Sequence, residues 1–207
     1  MVALFVGLRL FAVLGRRTGH EQQPAPSPEA ASEPEPAKPL ADATPERADP
    51  SGTVYKESAA PGIRAIISAD PDFDVARFLE GARAAYAMIL EAFWKGDMKT
   101  LEPLVGDDVR ASFAEAIAER EKAGHMLDNR LVTIERALIE RADLDGRTAS
   151  IAVRFDADIA AVTRDKQGEV VAGSLSDAVE THDLWTFRRL IGSDDPNWVL
   201  IETDEAA

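Results

Sequence analysis

The sequence predicts an α+β domain in which helices pack on one face of a curved, four-stranded antiparallel sheet. Two observations carry this prediction. Between residues 73 and 124 the apolar residues recur at spacings of three and four, which is the period of amphipathic helices. From about residue 131 onward apolar and polar residues alternate instead, which is the period of half-buried strands. Helices followed by a run of strands are typical of an α+β fold, and the pattern does not indicate a parallel crossover unit.

The chain divides into three regions of different composition. Residues 1–19 are apolar and end in basic residues, and residues 62–204 have the composition of a globular domain. Between them, residues 20–61 hold nine of the twelve prolines and almost no large apolar side chain. Such a segment cannot bury enough surface to offset the entropy of its chain. We therefore expect an N-terminal apolar helix, a disordered linker and one domain.

The N-terminal region predicts a membrane contact. As a helix, fifteen residues would span only about 22 Å, against roughly 30 Å for the hydrocarbon core of a bilayer. A secretory signal peptide does not fit, because the positive charges follow the apolar run and no small-x-small cleavage site comes next. Two interpretations remain, namely a membrane anchor whose start lies upstream of Met1, which we favour, and a short helix lying among the headgroups. The predicted anchor residues are Leu4, Phe5, Leu8, Leu10, Phe11, Arg16 and Arg17.

The position of the two arginines predicts an orientation. Lys and Arg beside a membrane span are enriched on the cytoplasmic side. Because Arg16 and Arg17 lie between the apolar run and the linker, we expect the linker and the domain on the cytoplasmic side of the cell inner membrane.

The first long helix of the domain is marked at both ends. Asp74 is placed to cap its N-terminus, and Phe73 and Phe78 have the spacing of a hydrophobic staple. Lys95 and Gly96 supply a stop signal at its C-terminus. The sequence therefore predicts one helix over about 75–95.

Three shorter helices are also predicted. Residues 62–69 have the pattern of two amphipathic turns that precede the long helix. A short helix is expected around 101–105, and another opens at Asp107 and closes at Gly124.

The strands follow from alternation and turn signals. Residues 147–163 place a run of apolar side chains on one face and polar ones on the other. Asp145 and Gly146 give a strong hairpin signal before this strand, whereas Gln167 and Gly168 give a looser turn after it. The four predicted strands are 131–142, 147–163, 177–190 and 198–202.

Composition and motifs exclude several function classes. A formal net charge of -14 opposes the counterion release on which nucleic-acid binding depends. The absence of cysteine excludes disulfides, thiolate zinc sites, iron–sulfur clusters and a cysteine nucleophile. The three histidines do not have a metal-binding spacing, and no nucleophile-elbow, Walker or dinucleotide-binding motif is present. We therefore predict no cofactor, no metal and no catalytic residue.

Four polar residues on two predicted strands are candidates for catalytic residues. His182 and Asp183 are adjacent, so they point to opposite faces of a strand and are interpreted as exposed polar residues. Asp156 and Asp158 share a face, as a pair of catalytic carboxylates would, but that face of an alternating strand is usually solvated. A structural interpretation is favoured for all four.

Two stretches of the domain carry a resemblance to a known family. The pairs Phe78-Leu79, Gly81-Ala82, Ala92-Phe93 and Gly96-Asp97 and the triplets Trp185-Thr186-Phe187 and Pro196-Asn197-Trp198 are its elements. Residues 62–204 resemble the C-terminal domain of the forty-four-kilodalton subunit of the mitochondrial inner-membrane import translocase, which has bacterial, α-proteobacterial members.

This resemblance implies a fold, a role and a set of contacts. The fold would be a cone of the nuclear-transport-factor type, with an apolar pocket between the long helix and the sheet. The role would be a non-enzymatic scaffold for an import motor, with lipid contact through helices on the N-terminal side of the domain. The matching lipid-contact residues are Ile63, Arg64, Ile66 and Ile67, and the aromatic residues that we assign to the pocket are Tyr86, Phe93, Phe155, Trp185 and Trp198.

Three functions therefore compete. The first is a membrane-tethered adaptor for a protein partner, such as a chaperone or a translocation component, in protein translocation or envelope assembly. The second is a module that binds an apolar small molecule or a lipid tail in the pocket. The third is an isomerase or dehydratase, which needs a carboxylate or a histidine that projects into the pocket. From residue 63 onward the chain holds 29 acidic and 17 basic residues, a net charge of -12, which repels an anionic leaflet and favours a protein partner.

Overall fold

The structure is a computed structural model that describes residues 54–206. The predicted membrane anchor, from Leu4 to Arg17, and the predicted linker up to residue 53 lie outside the described residues.

The described chain consists of helices followed by strands, as the periodicity predicts. The helices are α1 (Ala60–Ala69), α2 (Val75–Lys95), α3 (Met98–Leu101) and α4 (Asp107–Ala123), and the strands are β1 (Met126–Leu127), β2 (Arg130–Asp145), β3 (Thr148–Arg164), β4 (Val170–Leu190) and β5 (Val199–Glu205). The α+β fold class is therefore confirmed.

The long helix α2 begins and ends at the predicted signals. The side chain of Asp74 accepts a hydrogen bond from the backbone N–H of Arg77 at 2.7 Å, which satisfies one free donor of the first turn. The rings of Phe73 and Phe78 lie 5.9 Å apart and form the predicted staple. Gly96 ends the helix in the left-handed region, with φ 72°, where a side chain would be strained.

The folded domain starts earlier than the predicted boundary at residue 62. Tyr55 forms a parallel bridge with Ile139, and the backbone N–H of Lys56 donates to the carbonyl of Ile139 at 2.9 Å. A turn of 3-10 helix over Glu57–Ala59 then leads into α1. These backbone contacts are non-local, so the composition of the linker does not reveal them.

The sheet is antiparallel and has β3 at its centre. β2 and the two-residue β1 pair with one side of β3, β4 pairs with the other side, and β5 pairs with β4. The described sheet therefore has five strands where four were predicted, because β1 is too short to show a period. β4 also begins at Val170 and not near residue 177, since its first half is exposed on both faces and does not alternate.

The core lies between the helices and one face of the sheet, which we call the inner face. The inner face of β3 is buried throughout, as its alternation predicts, and consists of Ile151, Val153, Phe155, Ala157 and Ile159. The buried side chains of α2 cover this face, with Tyr86 over its centre. The opposite face of the sheet, the outer face, carries the polar residues of the same strands.

Candidate functional site

The candidate site lies on the inner face of the sheet, beneath the middle of α2. Tyr86 is fully buried, and its hydroxyl donates a hydrogen bond to Oδ2 of Asp183 on β4 at 2.6 Å. This bond joins residues 97 positions apart in sequence and fixes α2 against the sheet. It is a polar contact within a largely apolar face.

Three of the predicted pocket residues meet at this point. The rings of Tyr86 and Phe155 are stacked, with centroids 4.4 Å apart and an interplanar angle of 21°. Trp185 packs against both, at 4.6 Å from Tyr86 and 6.0 Å from Phe155. Aromatic contacts at these distances add stability beyond the area that they bury.

The other two predicted pocket residues belong to different groups. Phe93 pairs with Phe113 of α4 at 4.8 Å, and the guanidinium of Arg120 lies 5.6 Å from the centre of its ring. Trp198 packs on Phe78 at 4.8 Å, and Phe78 and Phe187 connect it to Trp185. All five residues belong to one hydrophobic core or pack against it, and their joint lining of a pocket stays a prediction.

The surroundings of Tyr86 determine its protonation. Burial raises the pKa of Tyr86 far above its ordinary value, and the charge and hydrogen bond of Asp183 raise it further. The phenol group of Tyr86 is therefore protonated at neutral pH, where it donates a hydrogen bond and does not act as a base.

Asp183 is the residue of this site that sequence reasoning missed. The interpretation of His182 and Asp183 as two exposed residues is wrong, because Asp183 pairs with Phe155 across the ladder and lies on the inner face. The signal was present in the sequence, since Asp183 stands two residues before Trp185 and successive odd positions of a strand share a face. The third hypothesis, an enzyme, required a carboxylate in this position.

Two further polar groups on the inner face are buried without a hydrogen-bond partner among the described residues. They are Nε1 of Trp185 and Oγ1 of Thr203, and both residues are 1% exposed. Trp185 and Thr203 are direct partners in the β4–β5 ladder, so their side chains leave the sheet side by side. A buried donor without a partner costs about 1–3 kcal/mol. A bound group with a hydrogen-bond acceptor would therefore stabilise this pair.

His182 belongs to a separate polar cluster on the outer face. Its Nδ1 lies 2.7 Å from Oδ1 of Asp156, and Nε of Arg154 donates to the same oxygen at 2.9 Å. The carboxylate of Glu180 is 3.9 Å from Nε2 of His182. The Asp156 side chain is only 13% exposed, so the prediction of a solvated carboxylate is corrected to a paired, largely buried one.

The pKa of Asp156 follows from this pairing. Burial alone would raise it, but the hydrogen bonds from Arg154 and His182, together with their charges, lower the pKa below its ordinary value. Asp158 lies on the same face, opposite Glu180 in the ladder. The cluster is therefore a polar patch that spans β3 and β4.

Within residues 54–206 no group of three or more His, Asp and Glu side chains is arranged to hold a metal ion. The structure places the predicted lipid-contact residues of α1 on two sides of that helix. Ile63 and Ile66 are buried against the domain, whereas Arg64 is exposed and Ile67 is 41% exposed. Ile63 and Ile66 therefore belong to the core, and lipid contact by α1 stays a prediction. Over the same residues no helix is long and apolar enough to cross a bilayer.

Comparisons with known proteins place this geometry in context. A family model described as the Tim44-like domain matches residues 59–205, which is most of the chain. No curated protein sequence matches the chain.

Two solved structures are similar to it at low sequence identity. The crystal structure of the intermembrane space region of chloroplast protein ARC6 is 17% identical, with a TM-score of 0.47, and the match covers 66% of this chain and 99% of that one. The crystal structure of a putative dehydratase from the NTF2-like family from Streptomyces avermitilis is also 17% identical, with a TM-score of 0.35, and the match covers 62% of this chain and 96% of that one.

Proposed function

Since this chain belongs to the Tim44-like domain family, we propose that it is a membrane-tethered adaptor without enzymatic activity, which binds a protein partner at the inner membrane. The family match over residues 59–205 is the observation that carries the proposal, and it agrees with the resemblance that the sequence motifs indicate. Protein translocation and envelope assembly are the processes in which such an adaptor would act.

The sequence outside the described residues supports a tether. The apolar run with its two terminal arginines is suited to a membrane contact, and the proline-rich segment after it is suited to a flexible spacer. A tether raises the local concentration of a domain near the membrane without fixing its orientation. The arginines favour the cytoplasmic side for the domain.

The charge of the domain supports a protein partner over a lipid surface. A net charge of -12 from residue 63 onward is repelled by anionic headgroups. The burial of Ile63 and Ile66 also removes most of the apolar face that α1 would offer to lipid. A chaperone or a translocation component is the kind of partner that the family role suggests.

The geometry of the candidate site favours a binding role over proton-transfer catalysis. Asp183 projects to the inner face, but its Oδ2 accepts the hydrogen bond of Tyr86. His182, the neighbouring candidate base, lies on the outer face against Asp156. The acid–base pair that the sequence offers is thus divided between the two faces of the sheet, where the two residues cannot act on one substrate.

Membrane fractionation tests the tether. The protein, expressed from its chromosomal locus so that any upstream start is included, is expected in the membrane fraction, resistant to salt and released by detergent. Deletion of residues 1–19 should move it to the soluble fraction, whereas deletion of residues 24–45 within the linker should not. A wholly soluble full-length protein would contradict the tether.

A second candidate function, binding of a small molecule with an apolar body, is favoured by one observation. Trp185 and Thr203 present two buried polar groups that have no partner within residues 54–206, beside the Tyr86 and Phe155 stack. An apolar ligand with one carbonyl or carboxylate group would satisfy them. Native mass spectrometry of the purified chain should then show a retained mass that is lost in Trp185→Phe, which keeps the ring and removes the N–H. A bare chain with no thermal shift across a panel of fatty acids would exclude this candidate.

A further inference from the structure

One edge of the sheet is uncovered over a long stretch. β5 pairs with β4 only from Asp183 to Arg188, and the N–H of Ala206 adds one hydrogen bond to the carbonyl of His182. Residues 170–181 of β4 pair with β3 on one side, apart from the bulge at 175–178, and with no described residue on the other. We call this stretch the open edge.

The other two outer edges of the described sheet each carry one short bridge. On β2 the bridge is Tyr55 to Ile139, and on β5 it is Val105 to Leu200. Backbone hydrogen bonds from Lys56 and Gly106 accompany these bridges, at 2.9 and 2.7 Å. The open edge has no such bridge to the described residues, and uncovered strand edges are templates for pairing with another chain.

The open edge carries exposed apolar side chains. Val170 and Val171 are each 51% exposed, Leu175 is 43% exposed and Val179 is 40% exposed. A group of exposed apolar side chains beside free backbone groups is typical of a surface that receives an extended peptide.

The backbone of the open edge is bent, which argues against a second copy of this chain. Ala161 pairs with Ser174 and Ile159 with Val179, so four residues of β4 stand opposite one residue of β3. Such a bulge prevents two rigid edges from pairing along their length. A single extended peptide is able to follow the bend.

The charge of the open edge selects the chemistry of that peptide. Residues 168–187 contain no lysine or arginine, whereas Glu169, Asp177 and Glu180 lie along the edge. Antiparallel pairing of two copies would bring these acids together and cost energy. A peptide with basic residues would instead meet complementary charges.

We propose that the open edge binds an extended segment of a partner protein, in which apolar and basic residues alternate, by addition of a strand to β4. This inference rests on the proposed adaptor function, since it names the surface that receives the partner. The incoming strand lies antiparallel to β4 and continues the line of β5 beyond His182. Its backbone pairs with residues 170–174 and 179–181, its apolar side chains contact Val171 and Val179, and its basic side chains face Asp177 and Glu180.

Binding of a labelled peptide to the full chain in detergent micelles tests the proposal. The probe is a ten-residue peptide of alternating valine and lysine, followed by fluorescence anisotropy. We expect saturable binding that weakens with salt, because part of the affinity is electrostatic. The same peptide with glutamate in place of lysine should not bind, and one with alternate backbone N-methyl groups should bind at least tenfold more weakly.

Variants of the chain locate the site. Val171→Lys together with Val179→Lys places like charges on the open edge and should weaken binding of the probe at least tenfold. Val132→Lys, at an equally exposed valine of β2, is the matched control and should leave binding within twofold. Equal binding by the double variant, or full affinity of the N-methylated peptide, would overturn the proposal. Sedimentation as a dimer that the double variant abolishes would assign the edge to a second copy instead.

Crosslinking from membranes separates this inference from the adaptor function. If the double variant still captures the same partner as the wild type, the open edge is not the docking surface, although the adaptor function stands. If neither chain captures a partner in membranes, the adaptor function itself fails.

Discussion

The two ends of β4 belong to one strand but have different environments. At the closed end, residues 183–190, Trp185 and Phe187 are buried between α2 and the sheet, and β5 covers the backbone. At the open edge, residues 170–181, side chains and backbone groups face outward on a bent strand. The difference indicates that the closed end contributes most of the stability of β4. The open edge is therefore available to bind a partner.

The largest loss of stability should come from a substitution at the close contact between α1 and β2. A Cβ on Gly62 of α1 would stand 1.7 Å from the carbonyl oxygen of Ala142, which is backbone and cannot move aside cheaply. We expect Gly62→Ala to lower the free energy of unfolding in urea by about 3 kcal/mol or more. Gly81→Ala is the matched control, since no neighbouring atom of the described residues lies within 4 Å of its added Cβ. This substitution should raise the free energy of unfolding by about 0.5–1 kcal/mol. Equal effects of the two substitutions would show that α1 does not seal the core.

A smaller loss should follow removal of the hydroxyl group at the centre of the closed end. Tyr86→Phe keeps the stack on Phe155 but removes the hydrogen bond that the hydroxyl group donates to Asp183. We expect a loss of about 1–3 kcal/mol in urea unfolding. In a double-mutant cycle with Asp183→Asn, the two losses should not add, because both substitutions break one bond. Additive losses would mean that the bond does not stabilise the domain.

The same bond should make the closed end sensitive to alkali. Because the pKa of Tyr86 is raised in the folded state, the folded chain keeps its proton above about pH 10, where an unfolded tyrosine loses it. The contribution to stability is therefore complete below about pH 10 and falls as the pH rises above that value. In Tyr55→Phe, where Tyr86 is the remaining tyrosine, tyrosinate absorbance should appear only when the chain unfolds. A reversible titration near pH 10 with native circular dichroism would contradict the buried bond.

The smallest effect on stability is expected at the open edge. Val171→Lys replaces a side chain that is half exposed, so the free energy of unfolding should change by less than about 0.5 kcal/mol. Its stability curve should overlay that of the Val132→Lys control. A loss above about 2 kcal/mol would show that the open edge is part of the core and would remove the contrast between the two ends of β4.

Local signals were sufficient for most of the elements. The signals at Asp74, at Gly96 and along β3 each act over a few residues. In the structure Asp74 caps α2, Gly96 ends it, and the alternation of β3 buries its inner face. The hairpin at Asp145 and Gly146 likewise sets the β2–β3 register. These features are encoded in single segments of the chain.

The parts that sequence reasoning missed depend on contacts between distant segments. Tyr55 is held by Ile139, and Asp183 is turned inward by its pairing with Phe155. The first half of β4 is a strand because β3 pairs with it, although its bulge hides the alternation. The five aromatic residues that are predicted to line one pocket make their ring contacts in three groups for the same reason, since the type of a residue does not give its neighbours.

Site-specific photocrosslinking in cells tests the central claim most directly. A benzoylphenylalanine replaces Val171 on the open edge or, as control, the exposed Met88 of α2, in the full chain expressed at its natural level. We expect residue 171 to crosslink one protein in the membrane fraction, through a segment with basic and apolar residues. Residue 88 should not crosslink this protein. Identical crosslinks from both positions, or a crosslink from neither in membranes, would contradict an adaptor that binds its partner through the open edge.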